Sequence, residues 1–234
     1  MKKRWVYMGG AIICLVILLA ASYKLMNSRS FQVFGGITDK VDTNQKIVAL
    51  TFDDGPSENV KEILSILQQY NIKATFFLIG NEIEKYPNEA KSIVEAGHQV
   101  GNHTYSHQRM VFKTPSYIKK EIDKTDKLIK EAGYNKEIVF RPPNGKKLIG
   151  LPYYLHKINK KTITWNLEPD TYYDSAQEKI DYAIKNIQPG SILLLHPMYD
   201  KTGTELQTIE GIIKGLKKKG YSFVTVNELR NYQP

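Results

Sequence analysis

Six polar residues stand out because each sits at or just beyond the end of a short apolar run: Asp53, Asp54, His103, His107, Arg141 and His196. Asp54, His103 and His107 form an O, N, N donor set that leaves a coordination position open for water, the catalytic rather than the structural arrangement for zinc. Two histidines four apart can face one way on a helical turn, although the same spacing also serves ordinary structural pairing. The adjacent Asp53 has a chemical use if Asp54 binds the metal. Coordination lowers the pKa of water toward about 7, and a neighbouring carboxylate then takes its proton. The competing reading is that both carboxylates, ahead of Gly55-Pro56, cap a helix starting near Glu58. His196 would protonate a leaving group from the other side, or else be a satisfied histidine at a strand end. His98 and His156 are read as packing or hydrogen-bonding residues.

The elements that must position these groups are legible from periodicity. Apolar runs recur at Lys46 to Phe52, Ala74 to Ile79, Gln99 to Asn102, Ile138 to Arg141, Thr162 to Trp165, Ile192 to His196 and Tyr221 to Val226. Several are apolar throughout, as parallel strands covered on both faces require. Between them lie helical faces: Val60, Ile63, Leu64 and Leu67; Ile118, Ile122, Ile129 and Ala132; Ile180, Ala183, Ile184 and Ile187; Leu206, Ile209, Ile213 and Leu216. Ser175 with Glu178 and Thr204 with Gln207 have capping-box spacing, and Gly133 and Gly220 sit where helices should end. Strand and helix alternate about seven times over roughly 190 residues, which predicts an α/β fold with a parallel sheet, as a short barrel or an open doubly wound sheet. The C-terminal ends of parallel strands share one face, so the six polar residues should converge.

Composition bounds the partners. The chain has 234 residues, 33 basic and 24 acidic, for a net charge of +9. Five of the basic residues (Lys2, Lys3, Arg4, Lys24, Arg29) fall within residues 1–30, which hold no acidic residue. The remainder carries +4, too little for a nucleic-acid footprint. Lys2-Lys3-Arg4 precedes an uncharged run from Trp5 to Ala21, read as a membrane-spanning signal anchor with its basic flank in the cytoplasm. The rest of the chain is then extracytoplasmic, or secreted if Ala20-Ala21-Ser22 is cleaved. The lone Cys14 lies in this run and cannot form a disulfide within the chain. Residues 31–234 are expected to form one monomeric domain, its motif-bearing core at about 44–230. Lys217-Lys218-Lys219 reads as a solvated helix end or as a patch attracted to an anionic polymer.

Thr51-Phe52-Asp53-Asp54-Gly55, His103-Thr104-Tyr105-Ser106-His107, Arg141-Pro142-Pro143-Asn144-Gly145 and Leu193-Leu194-Leu195-His196-Pro197 resemble, in order and spacing, the motifs of the polysaccharide deacetylases, carbohydrate esterase family 4. The resemblance implies a distorted (β/α) barrel of about seven parallel strands behind an N-terminal transmembrane helix, and hydrolytic removal of acetyl groups from N-acetylated sugars. It implies Asp53 as base, Asp54, His103 and His107 as ligands of a divalent metal, and His196 as general acid. Arg141 would orient Asp53 and keep it ionised, and the Asn144 backbone N–H would bind the oxyanion. Zinc is the first choice of metal, with cobalt or nickel as alternatives. Pro142 and Tyr172 are expected near the substrate, and Leu194 in the acetyl-methyl pocket.

Two departures from the family pattern bear on substrate. An aromatic is usual where this chain has Asn144, a loss that Tyr153 or Tyr154 would have to make good. The usual Asp-x-x-Asp-Trp motif reads Glu168-Pro169-Asp170-Thr171-Tyr172, leaving Asp170 and Glu168 as candidate supporting carboxylates, Asp170 for Arg141. The expected activity is N-deacetylation of peptidoglycan or chitin-like glycans. The alternatives are an O-acetyl esterase on the same site and a non-catalytic wall-binding protein.

Overall fold

The computed structural model describes residues 2–232. Its strands are β1 (Ile37–Thr38), β2 (Ile47–Gly55), β3 (Thr75–Leu78), β4 (Gln99–Asn102), β5 (Thr162–Ile163), β6 (Ile192–Leu195) and β7 (Ser222–Val224). Its helices are α1 (Lys2–Asn27), α2 (Val60–Gln69), α3 (Gly80–Lys85), α4 (Pro87–Glu95), α5 (Pro115–Glu131), α6 (Gly150–Lys157), α7 (Ala176–Asn186), α8 (Thr204–Lys218) and α9 (Val226–Arg230). All ladders between named strands are parallel. β2 pairs with β3, β6 and β7, and β3 pairs with β4.

The ring closes through single residues, which makes this a distorted barrel. Phe140 bridges Asn102 on one side and Thr162 on the other, and Leu167 bridges Leu193 of β6. The expected strand at Ile138 to Arg141 therefore shrinks to this one bridging residue, because Pro142 and Pro143 supply no N–H to continue a ladder. β1, unforeseen, pairs with β5. Two other expectations change. Thr204 is not a cap: Gly203, at φ 82°, precedes α8, and the Asp200 carboxylate takes the Glu205 N–H instead. The last apolar run ends early because Thr225 forms a capping box with Glu228 and starts α9. Ser175 does accept the Glu178 N–H, as its spacing predicts.

Side-chain alternation aims the polar residues. Val48, Leu50 and Phe52 of β2 face outward and pack under α2 and α8, whereas Ile47 and Ala49 face inward with Phe77, Ile163, Ile192 and Leu194. A one-residue slip of β2 would misplace three large apolar side chains, at about 1.5–3 kcal/mol for each one left unburied. The hydrophobic pattern thus sets the direction of Thr51 and Asp53, which continue the inward column. The same parity runs through Val139 to Arg141, Ile163 to Trp165, and Ile192 and Leu194 to His196. Gly101 gives His103 the equivalent place on β4, and only glycine fits there: a Cβ would lie 2.6 Å from the Phe77 ring and 3.2 Å from the Val139 carbonyl oxygen.

Residues Tyr7–Asn27 of α1 form a 21-residue stretch of mean hydropathy 2.0, none of it buried, long and apolar enough to cross a membrane. Its end is fastened to the barrel. The Lys147 N–H donates to the Met26 carbonyl at 3.3 Å, the Lys147 ammonium to the Ser28 carbonyl, and the Lys146 ammonium to the Asn27 side chain.

Candidate active site

The inward column of β2 ends in a buried ion pair. Arg141, wholly buried, donates through Nη1 to Asp53 Oδ1 at 2.7 Å and to Thr51 Oγ1 at 2.9 Å, and through Nη2 to the Thr164 carbonyl at 3.0 Å. Its guanidinium lies 4.0 Å from the Phe77 ring centroid. The chain then turns through Asp54, at φ 68°, and the carboxylate beside Asp53 points differently. Left-handed backbone at a residue that is not glycine is strained and clusters at functional sites. Thr104, His107 and Asn144 share it, with φ of 66°, 55° and 54°.

His103 and His107 converge through a loop, not on the helical turn their spacing suggested. Glu121 of α5, itself buried, accepts the N–H groups of Tyr105 and Ser106 at 3.0 and 2.8 Å, satisfying amides that a helical turn would have used internally. Asn102 Oδ1 accepts the Thr104 N–H, and Thr104 Oγ1 the His107 N–H. His103 Nδ1 donates to the Arg141 carbonyl at 2.8 Å, which leaves Nε2 as a lone-pair donor directed at the carboxylates. That nitrogen is 3.5 Å from Asp54 Oδ1 and 3.6 Å from Asp53 Oδ2, and His107 Nε2 is 3.1 Å from Asp54 Oδ1.

These groups pass the test for a metal site. Ligand atoms of Asp54, His103 and His107 lie within 4.8 Å of one another, and Asp54 Oδ1 is buried without a hydrogen-bond partner among the described residues. Burial works against a charged Asp54, but the imidazoles of His103, His107 and His196 around it outweigh it and hold its carboxyl down to about 2. Burial and the neighbouring His103 also push His107 below its ordinary value, so its nitrogen is free to ligate.

His196 follows β6 and meets a different carboxylate. Its backbone N–H and ring Nδ1 both donate to Asp170 Oδ2, at 2.9 and 3.2 Å. Asp170 is also 3.2 Å from the ammonium of buried Lys179, which donates in turn to Glu205. Burial alone would depress His196, but the Asp170 hydrogen bond and the charges of Asp53 and Asp54 raise it to about 9. Asp170 therefore supports His196, not Arg141, whose carboxylate partner is Asp53. An imidazole bonded at Nδ1 leaves Nε2 to handle a proton.

Asp53, Asp54, His103, His107 and His196 line one cavity of about 260 Å³ with Asn144, Glu168, Thr171, Trp165 and Arg29. The last two went unrecognised in the sequence. The inward parity of Trp165 was an available clue, whereas nothing local marks Arg29. Leu194 is fully buried within the barrel beside Trp165, and Pro142 is buried next to Arg141. Tyr172 is largely exposed and stacks toward Tyr182 with centroids 5.3 Å apart, away from the cavity lining. Tyr153 packs on Phe34 and Tyr154 bonds Asp123, so neither replaces an aromatic at Asn144. A second cavity, about 370 Å³, is bounded by Leu64, Leu67, Ile72 and His98. There His98 accepts the Ala74 N–H and packs edge-on against Phe76, a structural role.

Residues 40–163 match the family model described as polysaccharide deacetylase. A peptidoglycan-N-acetylglucosamine deacetylase of Bacillus cereus is 34% identical over 204 residues, 85% of this chain and 95% of the relative. Among solved structures, the Bc1960 peptidoglycan N-acetylglucosamine deacetylase superposes with a TM-score of 0.78 at 34% identity, covering 82% of this chain and 92% of that one. BA3943, described as a CE4 family pseudoenzyme from Bacillus anthracis, gives 0.77 at 29% identity, covering 86% of this chain and 71% of that one. Fold likeness thus extends to proteins without activity, and the side chains of the site carry the functional argument. Motifs, barrel and relatives agree: the chain belongs to the polysaccharide deacetylase family, carbohydrate esterase family 4, whose members include hydrolases of the amide bond in N-acetylated glycans.

Proposed function

We propose that this protein removes acetyl groups from N-acetylated amino sugars of peptidoglycan, on the outer side of the membrane, where α1 holds it as a retained anchor. The observation that carries the reading is one cavity bounded by two differently supported proton-transfer groups, Asp53 against Arg141 and His196 against Asp170, with Asp54, His103 and His107 grouped beside them. Asp54, His103 and His107 would hold a divalent ion, zinc by preference of its N, N, O donor set, which supplies Lewis acidity toward a water and the acetamide carbonyl.

Asp53 receives the proton of the attacking water. Its Oδ1 is committed to Arg141, so Oδ2 is the oxygen that takes the proton. Arg141 keeps that carboxylate in place through Thr51 and the Thr164 carbonyl. His196, cationic at neutral pH, gives its Nε2 proton to the departing sugar nitrogen, which leaves as an amine rather than as an amide anion. The Asn144 backbone N–H helps to stabilise the oxyanion, and buried Leu194 packs behind Trp165, which lines the cavity.

The test is acetate release from peptidoglycan fragments and N-acetylglucosamine oligomers by the full chain, after chelation and after adding back zinc or cobalt. Metal-dependent release is expected. No release from any amino-sugar polymer refutes the reading, and faster release from acetate esters than from acetamides would point to an O-acetyl esterase.

A further inference from the structure

Arg29 belongs by sequence to the charged flank of the apolar helix, yet it lines the catalytic cavity. It follows α1 by two residues, and its carbonyl accepts from Thr164 Oγ1 at 2.5 Å. The guanidinium lies 4.5 Å over the Trp165 ring and donates through Nη2 to Glu168 Oε2 at 2.9 Å, an oxygen that also accepts the Trp165 indole N–H. A guanidinium has five N–H donors in a fork suited to a carboxylate, and Glu168 takes one of them. The side chain keeps 42% of its surface exposed. On the Asn144 side of the cavity, exposed Arg109 donates to the Asn144 side chain at 3.3 Å, a neutral partner that leaves its charge unbalanced. The acidic groups deeper in are matched already, Asp53 by Arg141 and Asp170 by Lys179, and Asp54 belongs to the metal-holding group. Among the described residues, the cavity wall at Arg29 and the neighbouring surface at Arg109, beside the lining residue Asn144, therefore present two guanidiniums against the single carboxylate of Glu168.

We propose that Arg29, assisted by Arg109, forms a carboxylate-binding subsite, so that the cleft selects glycans carrying an acidic substituent near the acetamide over neutral glycans of the same length. The inference rests on the deacetylase reading and names which class of N-acetylated glycan this cleft takes. Stacking on Trp165 and pairing with Glu168 pre-orient the fork, which lowers the ordering cost of binding.

The experiment measures binding to the zinc-loaded full chain in detergent micelles by stopped-flow mixing, before turnover occurs. The ligands are a tetrasaccharide of alternating N-acetylglucosamine and N-acetylmuramic acid, and chitotetraose. The unaltered chain is expected to bind the acidic ligand about tenfold more tightly, an advantage that shrinks as salt rises. Arg29→Gln is expected to bring the ratio to within about twofold, and Arg29→Lys to keep part of it as a point charge. Arg109→Gln, at an exposed site that spares the fold, is expected to narrow the ratio as well. Equal affinities in the unaltered chain, or equal weakening of both ligands by Arg29→Gln, would overturn the subsite. Absence of acetate release from all substrates would instead overturn the deacetylase reading and leave the affinity ratio to be judged by itself.

Discussion

Asp170 and His196 are joined twice through one oxygen, Oδ2 accepting the backbone N–H at 2.9 Å and the ring Nδ1–H at 3.2 Å. The second bond fixes the tautomer and the first fixes the distance, so ring and carboxylate act as a unit. Lys179 and Glu205 extend the arrangement away from the cavity.

The pH dependence of activity tests this pair. A general acid must be protonated, and a His196 raised to about 9 stays cationic through neutrality and loses its proton as pH climbs past that value. Asp170→Asn removes the anion while burial continues to favour the neutral ring. The alkaline limb of kcat/KM is therefore expected to move down by about one pH unit or more. A limb that stays in place would separate Asp170 from the acid function.

His103→Ala and Asp53→Asn should fail in different ways. Loss of His103 removes a ligand whose orientation is fixed by the Arg141 carbonyl, so bound metal and acetate release are expected to vanish together. Asp53→Asn keeps Asp54, His103 and His107, and is expected to retain the metal while turnover falls about 10²–10⁴-fold. Metal content by mass spectrometry beside acetate release distinguishes the two. Full metal in the first variant, or near-normal turnover in the second, contradicts the assignment.

Arg141→Met should destabilise the fold by about 3–5 kcal/mol, because it strands the Asp53 carboxylate at a position only 2% exposed. Adding Asp53→Leu to that variant is expected to recover much of the loss, since the cost lies in an unpaired buried charge and not in the absence of the pair. Denaturant midpoints of the two single variants and the double variant measure the coupling. Additive losses would show that the two residues act independently.

Much of this site was legible because it follows parity. Ile47, Ala49, Thr51 and Asp53 form one inward column, and the same spacing takes Val139 to Arg141 and Ile192 to His196, so the polar residues that end the apolar runs converge inside the barrel. What escaped depended on contacts with no local signature. Arg29 meets Glu168 across 139 residues, in a segment whose composition reads as a membrane flank. The short helices α3, α4 and α6 span at most nine residues, too few turns to establish a period. The stretch at Ile138 looked like a strand because its apolar residues suit one, while the prolines that cut it short stand just beyond the run. Asp170, a candidate support for Arg141 by its place beside Thr171, faces His196 instead for a comparable reason: adjacency in sequence does not say which of the two its carboxylate meets.

Gly101 links the core to the metal-holding group, and Gly101→Ala tests that link. The added methyl would lie 2.6 Å from the Phe77 ring, a rigid neighbour that also stacks on Arg141, and 3.2 Å from a backbone oxygen that cannot rotate away. Overpacking of this kind costs about 1–3 kcal/mol. The strain falls two residues from His103, so metal affinity should drop along with stability although no ligand has been altered. Phe77→Leu in the same chain makes room beside the methyl. The double variant is then expected to be more stable than the sum of the two single losses and to regain part of its metal affinity, measured by thermal midpoint and metal titration. Strictly additive losses would mean that Gly101 is needed for its own backbone rather than for the approach of Phe77.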